Sequence, residues 1–148
     1  MMMISDWTSG MDKMAPLSTP FTWTCIPELR NPYLVVGFHG WSNAGSVSSD
    51  TLQYLKESLQ PYVVATVSDE GFVNYSADRP VARIVAGTIQ EIEPMEGQFL
   101  AWNNADGDRD LVLFLGKEPH FNWIAYSRIF LELMHKLNVG RLYTIGGV

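Results

Sequence analysis

A glycine-rich turn holds the residues of this sequence whose types and spacing best suit chemistry. It spans residues 39–46 and lies between an apolar run and a helical pattern. Gly40 and Gly45 have the spacing of the phosphate-binding G-x-x-x-x-G-K-[ST] loop, but Ser46 and Val47 replace the lysine and the magnesium-binding hydroxyl that complete it. Two interpretations follow: backbone amides at the helix start hold an anion, or small residues let the helix pack tightly on the strand.

Two catalytic turns of α/β-hydrolases also resemble this segment. Residues 38–41 resemble the His-Gly loop that supplies an oxyanion amide, and residues 40–44 resemble a nucleophile elbow around Ser42. One segment cannot be both, because the loop and the elbow follow different strands, and no second G-x-S-x-G occurs downstream. A triad in this order needs a histidine after the serine, where the sequence has only His120 and His135. Because the phosphate-binding motif and the catalytic triad are both incomplete, the sequence favours a protein that is not an enzyme.

A carboxylate follows the second buried strand. Because the carboxyl ends of parallel strands meet at one edge of a sheet, we expect Glu118 to face the same crevice as the glycine turn. It either contributes to a ligand site there or caps the helix that starts near Asn122. The candidate ligand- or anion-binding residues are therefore Gly40, Trp41, Asn43, Gly45 and Glu118.

The sequence predicts no metal site and no cofactor. The histidines lack the close spacing of metal ligands, and the lone Cys25 rules out a cysteine-based zinc cluster and an internal disulfide. The paired carboxylates Glu91 with Glu93, and Asp108 with Asp110, fit solvated turns better than a metal site.

Composition narrows the classes of partner. Hydrophobic residues make up 47% of the 148 residues and charged residues only 18%, against about 25% in ordinary domains. This low fraction of charged residues predicts that another subunit or further chain covers part of the surface. A net charge of -6 argues against nucleic acid and anionic membranes as partners. The start has no signal-peptide pattern and no apolar run is long enough to span a membrane, so the expected location is the cytoplasm.

Apolar runs and helical spacing predict the elements that position these residues. Continuous apolar runs at 33–38 and 111–115 indicate buried parallel strands, and further strands are expected at 62–67 and 141–145. Helices are expected at 46–60 and 122–137, and the second is apolar around so much of its circumference that we expect burial on more than one side. Short strands at 81–86 and 98–102 predict an antiparallel insertion.

The predicted fold class is therefore α/β, with a mostly parallel sheet flanked by helices and a short antiparallel insertion. Residues 1–20 show no periodicity and suggest a flexible leader. Residues 21–148 suggest the N-terminal part of a single α/β domain, because a strand followed by two glycines, Gly146 and Gly147, should lead into another loop and helix.

Several segments, in order, resemble the proteasome assembly chaperone 2 family of archaea and bacteria. Residues 37–45 match its glycine-tryptophan turn, and residues 72–75 with Arg79-Pro80 match its loop of aromatics followed by Arg-Pro. Residues 109–119, with Trp123, match its strand, Glu-Pro turn and tryptophan. The likeness extends from about Tyr33 to Val148. Asn74 stands where the family often has aspartate, and the family's Pro-His-Thr-Arg-like loop and helical C-terminal part do not occur here.

The resemblance implies a fold similar to that of nucleoside phosphorylases, oligomeric assembly and no particular reaction. It favours a non-catalytic α/β protein that associates with itself and with a proteasome-related or other protein partner. The alternative is a small-molecule binder or enzyme, of a nucleoside, phosphate or carboxylate-amine ligase type, using the Gly40–Gly45 turn and the Glu118 loop. No ATP-grasp pattern supports the ligase label that some members carry.

Overall fold

A computed structural model describes residues 20–92 and 95–148, and the predicted leader lies outside them except for Pro20. The chain forms a sheet with one helix on each face, and the predicted α/β class is confirmed. In chain order the elements are β1 (Phe21–Trp23), β2 (Tyr33–His39), α1 (Val47–Leu59, after a 3-10 turn at Ala44–Ser46), β3 (Tyr62–Val67), β4 (Ala82–Val85), β5 (Thr88–Ile92), β6 (Gly97–Trp102), β7 (Leu111–Lys117), α2 (Trp123–Lys136) and β8 (Arg141–Ile145).

The main sheet is mixed, so the prediction of a mostly parallel sheet is wrong. Its strand order is β1-β3-β6-β7-β2-β8. β2 pairs in parallel with β7 and β8, whereas the pairings β1–β3, β3–β6 and β6–β7 are antiparallel. The physical reason is β6, which the chain inserts between β3 and β7 after reversing its direction. β3 consequently points the same way as β2, but two strands separate them.

The antiparallel insertion exists and includes the strand predicted at 81–86, which is β4, but its second strand is not the predicted one. β4 pairs with β5, which the sequence pattern missed, and the two form a separate two-stranded sheet. The strand predicted at 98–102 is β6 and belongs to the main sheet. Local pattern located β6 correctly but carried no information about its partner.

The larger core lies between the sheet and α2. Three rings, Phe99, Phe114 and Phe130, meet there with centroids 4.5 to 5.2 Å apart. Gly97 and Gly116 flank Phe114, and a Cβ at either position would lie within 2.7 Å of that ring. The Phe114 ring therefore leaves no room for a side chain at Gly116 on its own strand or at Gly97 on the neighbouring strand.

Each helix covers one face of the sheet. α1 packs against the opposite face from α2, where the buried Leu52, Leu100 and Leu113 form a smaller cluster. The prediction that α2 is buried on more than one side is wrong for the described residues. Ile124 and Leu131, two turns apart on its outer face, are 74% and 64% exposed.

Candidate functional site

The glycine turn and the Glu118 loop lie against each other at the carboxyl ends of β2 and β7. The Glu118 carboxylate accepts the Trp41 backbone N–H at 2.9 Å, and the Glu118 N–H donates to the His39 carbonyl at 3.0 Å. A Cβ at Gly40 would lie 2.4 Å from the Glu118 Oε2, so this close approach requires glycine. Glu118 does not cap α2: Asn122 holds the N-cap position, and its side chain donates to the Gly71 carbonyl at 2.8 Å.

Asn43 stabilises the start of α1. Its side-chain oxygen accepts the backbone N–H groups of Ser48 and Ser49 at 2.9 and 3.0 Å, two of the donors that a helix start leaves unpaired. Gly45 and Ser46 both adopt left-handed backbone conformations, with φ of 60° and 62°, which bring Asn43 back over the helix end. The Asn43 side chain thus takes up two amides that an anion at this helix start would use.

The segment after β8 closes the other side of the turn. Gly147 accepts the Ala44 N–H at 3.2 Å and donates its own N–H to the Ser42 carbonyl at 2.9 Å. A Cβ on Gly146 would lie 3.0 Å from the Ser42 carbonyl oxygen. Gly146 and Gly147 therefore fit the turn closely. The Glu118 loop, the start of α1 and the segment after β8 together hold the glycine turn in place.

A crevice of about 260 Å³ opens beside the turn and contains three of the five candidate residues: Gly40, Trp41 and Glu118. Asp78 and His120 line it as well. Asn43 and Gly45 do not line it; they shape the turn behind it.

Two histidines border this crevice, and their surroundings differ. Burial, then the nearby charge of Lys117, lowers the pKa of His39, and Asp78 opposes the shift only in part. His120 accepts the Asn74 N–H at 3.2 Å through Nδ1, so that nitrogen holds the loop after β3. Among the described residues, no group of three or more His, Cys, Asp or Glu side chains could bind a metal ion.

A second cavity, which the sequence did not predict, lies on the α1 face of the sheet. It has a volume of about 290 Å³ and shares His39 with the first. Its polar lining includes Lys56 on α1, Arg79 on the loop before β4, and Lys117 at the end of β7. Arg79 belongs to the Arg-Pro pair singled out in the sequence, but nothing in the local pattern placed it opposite α1.

Asp110 was expected in a solvated turn, and the structure shows it fully buried. Its carboxylate accepts the Arg30 N–H at 2.7 Å and the Asn104 N–H at 2.8 Å. It lies at the start of β7, at the opposite end of the sheet from the glycine turn. Asp110 is thus a structural residue, and Glu93, of the other carboxylate pair, lies outside the described residues.

None of the helices in residues 20–92 and 95–148 is both long enough and apolar enough to cross a membrane.

Comparisons with known proteins agree on one family. Residues 37–148 match the model of the PAC2 family. The fold is similar to a proteasome-assembly chaperone homologue of Mycobacterium tuberculosis, with 30% identity and a TM-score of 0.75 over 78% of this chain and 49% of that one. It is also similar to a PAC2 family protein of Streptomyces avermitilis, with 25% identity and a TM-score of 0.71 over 79% and 50%.

A protein of unknown function from Corynebacterium glutamicum shares the fold at 19% identity, with a TM-score of 0.77 over 86% of this chain and 49% of that one. A comparison with curated protein sequences found no match. The chain spans about half the length of these solved relatives.

Proposed function

Because this chain belongs to the PAC2 family, we propose that it acts by binding other proteins, in a chaperone-like role, rather than by catalysing a reaction. The Mycobacterium tuberculosis relative is named as a proteasome-assembly chaperone homologue. We extend that role to this chain, with a proteasome-related protein as the proposed partner and the cytoplasm as the proposed location. We also propose that residues 21–148 form the first part of one α/β domain, since the solved relatives are about twice as long.

The observation that carries this proposal is the β4–β5 hairpin. Its strand pairing places Ala82 opposite Ile92 and Ile84 opposite Ile89, so these four residues share one face. The three isoleucines are 56 to 62% exposed. A lone two-stranded hairpin is at best marginally stable in water, and an exposed apolar patch often marks a protein-binding surface. A covering partner would bury this face.

The occupant that we propose for the hairpin is a second copy of this chain. The opposite face of the hairpin pairs Arg83 with Glu91 and Val85 with Thr88, so it is mostly polar and suited to water. The apolar face is the one left for a partner. Two identical apolar faces related by a two-fold axis are self-complementary, and this is the commonest arrangement in protein oligomers. The low charge content of the chain also supports self-association.

Self-association can be tested by measuring the molar mass of the protein in solution. Light scattering after size exclusion, at micromolar concentration, should show a multiple of the chain mass. The double variant Ile84→Lys/Ile89→Lys should move the protein to the monomer mass, because it would bring two pairs of charges into the interface. Tyr54→Lys, at a position on α1 that is 68% exposed, is a control that adds a lysine away from the hairpin and should keep the oligomer.

Two results would contradict self-association through the hairpin: a monomeric parent chain, or a double variant that keeps the parent's mass while its circular dichroism is unchanged. The chaperone-like role needs its own assay, because an oligomer alone does not establish it. Purified proteasome α subunits of the same organism should bind the chain saturably in biolayer interferometry. Absence of binding would refute that partner but not self-association.

A second candidate function is small-molecule binding in the 260 Å³ crevice beside the glycine turn, since Gly40, Trp41 and Glu118 meet there. If the chain has the nucleoside-phosphorylase-like fold that the family resemblance implies, nucleosides and phosphate are the first ligands to test. Either should raise the melting temperature of the parent chain, and Glu118→Gln should reduce the shift caused by nucleosides, whose hydroxyl groups can donate to the carboxylate. No shift with any of these ligands would exclude this candidate.

A further inference from the structure

We infer that the 290 Å³ cavity between α1 and the stem of the β4–β5 hairpin binds a small amphiphilic carboxylate, a molecule with an apolar body and one anionic head. The cavity lies at the carboxyl ends of the parallel strands β2 and β7, where open α/β sheets usually bind ligands. This inference is independent of the protein-binding role, which concerns the outer surface of the hairpin.

The floor of this cavity is apolar. Leu100, Leu113 and Leu115 point from the sheet toward α1, and Leu52 on α1 closes one side. Met95, just before β6, contributes to the opposite wall. A purely polar ligand, such as inorganic phosphate, would gain nothing from these side chains and would lose water on entering. The floor therefore selects a ligand with an apolar body.

The walls of the cavity carry three cations, Lys56, Arg79 and Lys117, and one carboxylate, Glu96. Lys117 pairs with Asp78 at 2.8 Å. Within residues 20–92 and 95–148, no carboxylate lies within ion-pair distance of Lys56 or Arg79. Lys56 comes from α1 and Arg79 from the loop before β4, so the two cations reach the cavity from different elements. In a chain of net charge -6, this excess of cations over carboxylates in one cavity, with Lys56 and Arg79 in no ion pair with a described carboxylate, favours an anionic head group.

The cavity volume sets the size of the ligand. At about 30 Å³ for each water-sized group, the cavity has room for roughly ten non-hydrogen atoms. Octanoate has that size, with a hydrocarbon chain to lie on the leucines and a carboxylate to reach the cations. A nucleoside triphosphate has several times as many atoms and would extend well beyond the cavity. We therefore take octanoate as the probe.

Titration calorimetry of the full chain at neutral pH tests the site. Octanoate should bind saturably with one site per chain, and 1-octanol, which has the same apolar body without the charge, should bind at least tenfold more weakly. The double variant Lys56→Met/Arg79→Met should lose at least tenfold in octanoate affinity. Arg128→Met/Lys136→Met, at two exposed positions of α2 on the opposite face of the sheet, removes the same two charges and should bind as the parent does.

Nuclear Overhauser contacts provide a test that does not depend on the variants folding. Octanoate protons should contact the methyl groups of Leu52, Leu113 and Leu115 in the parent chain. The inference is wrong if octanoate fails to bind, if octanol binds equally well, or if the double variant keeps the parent's affinity. Contacts confined to the hairpin isoleucines would also overturn it, because they would show adsorption to the exposed apolar face.

Discussion

Replacing the buried Asp110 with asparagine should destabilise the fold strongly at neutral pH. Asp110 is fully buried, and its two carboxylate oxygens accept different backbone amides, from Arg30 and Asn104, at 2.7 and 2.8 Å. The Arg30 guanidinium lies 3.5 Å away. This single side chain therefore joins the loop before β2 to the turn before β7.

The magnitude follows from these contacts. In Asp110→Asn one oxygen becomes an NH₂ group, which faces a backbone donor, so one hydrogen bond to a charged group is lost, at about 1.5–3 kcal/mol. The other bond survives as a neutral one, roughly half as strong. We expect the free energy of unfolding to fall by about 2–4 kcal/mol, measured by urea denaturation at neutral pH. Asp108→Asn, at an exposed carboxylate in the same turn, should change it by less than about 0.5 kcal/mol.

The pH dependence provides a second measurement. Burial alone would raise the pKa of Asp110, but the Arg30 and Asn104 amides and the Arg30 charge outweigh it, so the pKa lies below its usual value of 3.8. A carboxyl group with a lowered folded-state pKa stabilises the fold above its unfolded pKa and loses that contribution as the pH falls through the folded pKa. The stability gap between parent and Asp110→Asn should therefore narrow below about pH 4.

Two outcomes would refute this reasoning. One is an Asp110→Asn variant that is as stable at neutral pH as Asp108→Asn. The other is a stability gap that stays constant from neutral to acidic pH, which would show that shape rather than charge determines the loss.

Two further substitutions test the strand-to-helix junction. Asn43→Ala should lower the free energy of unfolding by about 1–2 kcal/mol in urea denaturation, because two helix amides lose their acceptor, whereas Asn43→Asp should keep most of the stability. Gly37→Ala should cost about 1–3 kcal/mol and lower the melting temperature, because the added Cβ would lie 2.8 Å from a methyl carbon of Leu52. Gly140→Ala is its control, with no neighbouring atom closer than 3.8 Å, and an equal loss there would contradict the packing argument.

Local pattern predicted most of the elements but not their arrangement. β3 and β8 begin and end where the sequence placed them, and α1 and α2 each differ by a residue at either end, because apolar runs and helical spacing are properties of neighbouring residues. The position of β6 between β3 and β7 depends on contacts distant in sequence, and no periodicity encodes them. β5 was missed for a different reason: its five residues, Thr-Ile-Gln-Glu-Ile, are too polar to resemble a core strand.

The candidate site was also predicted only in part. The carboxyl ends of parallel strands lie at one edge of a sheet, and this rule correctly predicted that Glu118 lies beside the glycine turn. The prediction holds because β2 and β7 are adjacent and parallel. The burial of Asp110 could not be predicted, since a turn rich in Asn, Asp and Gly is ordinarily solvated. Its burial depends on amides from Arg30 and Asn104, and Arg30 lies 80 residues away in the chain.

The hydrogen bonds of the glycine turn determine how this fold can attract an anion. Glu118 takes the Trp41 amide, Asn43 takes two amides at the start of α1, and Gly147 takes the Ala44 amide. An anion binding to the turn would have to displace a carboxylate or compete with a helix cap, and each exchange breaks a hydrogen bond for every one that it forms. An anion that binds to Lys56 breaks no such hydrogen bond, because the Lys56 ammonium group pairs with no described carboxylate. An anion is therefore better held by the cations of the cavity on the α1 face than by the backbone of the turn.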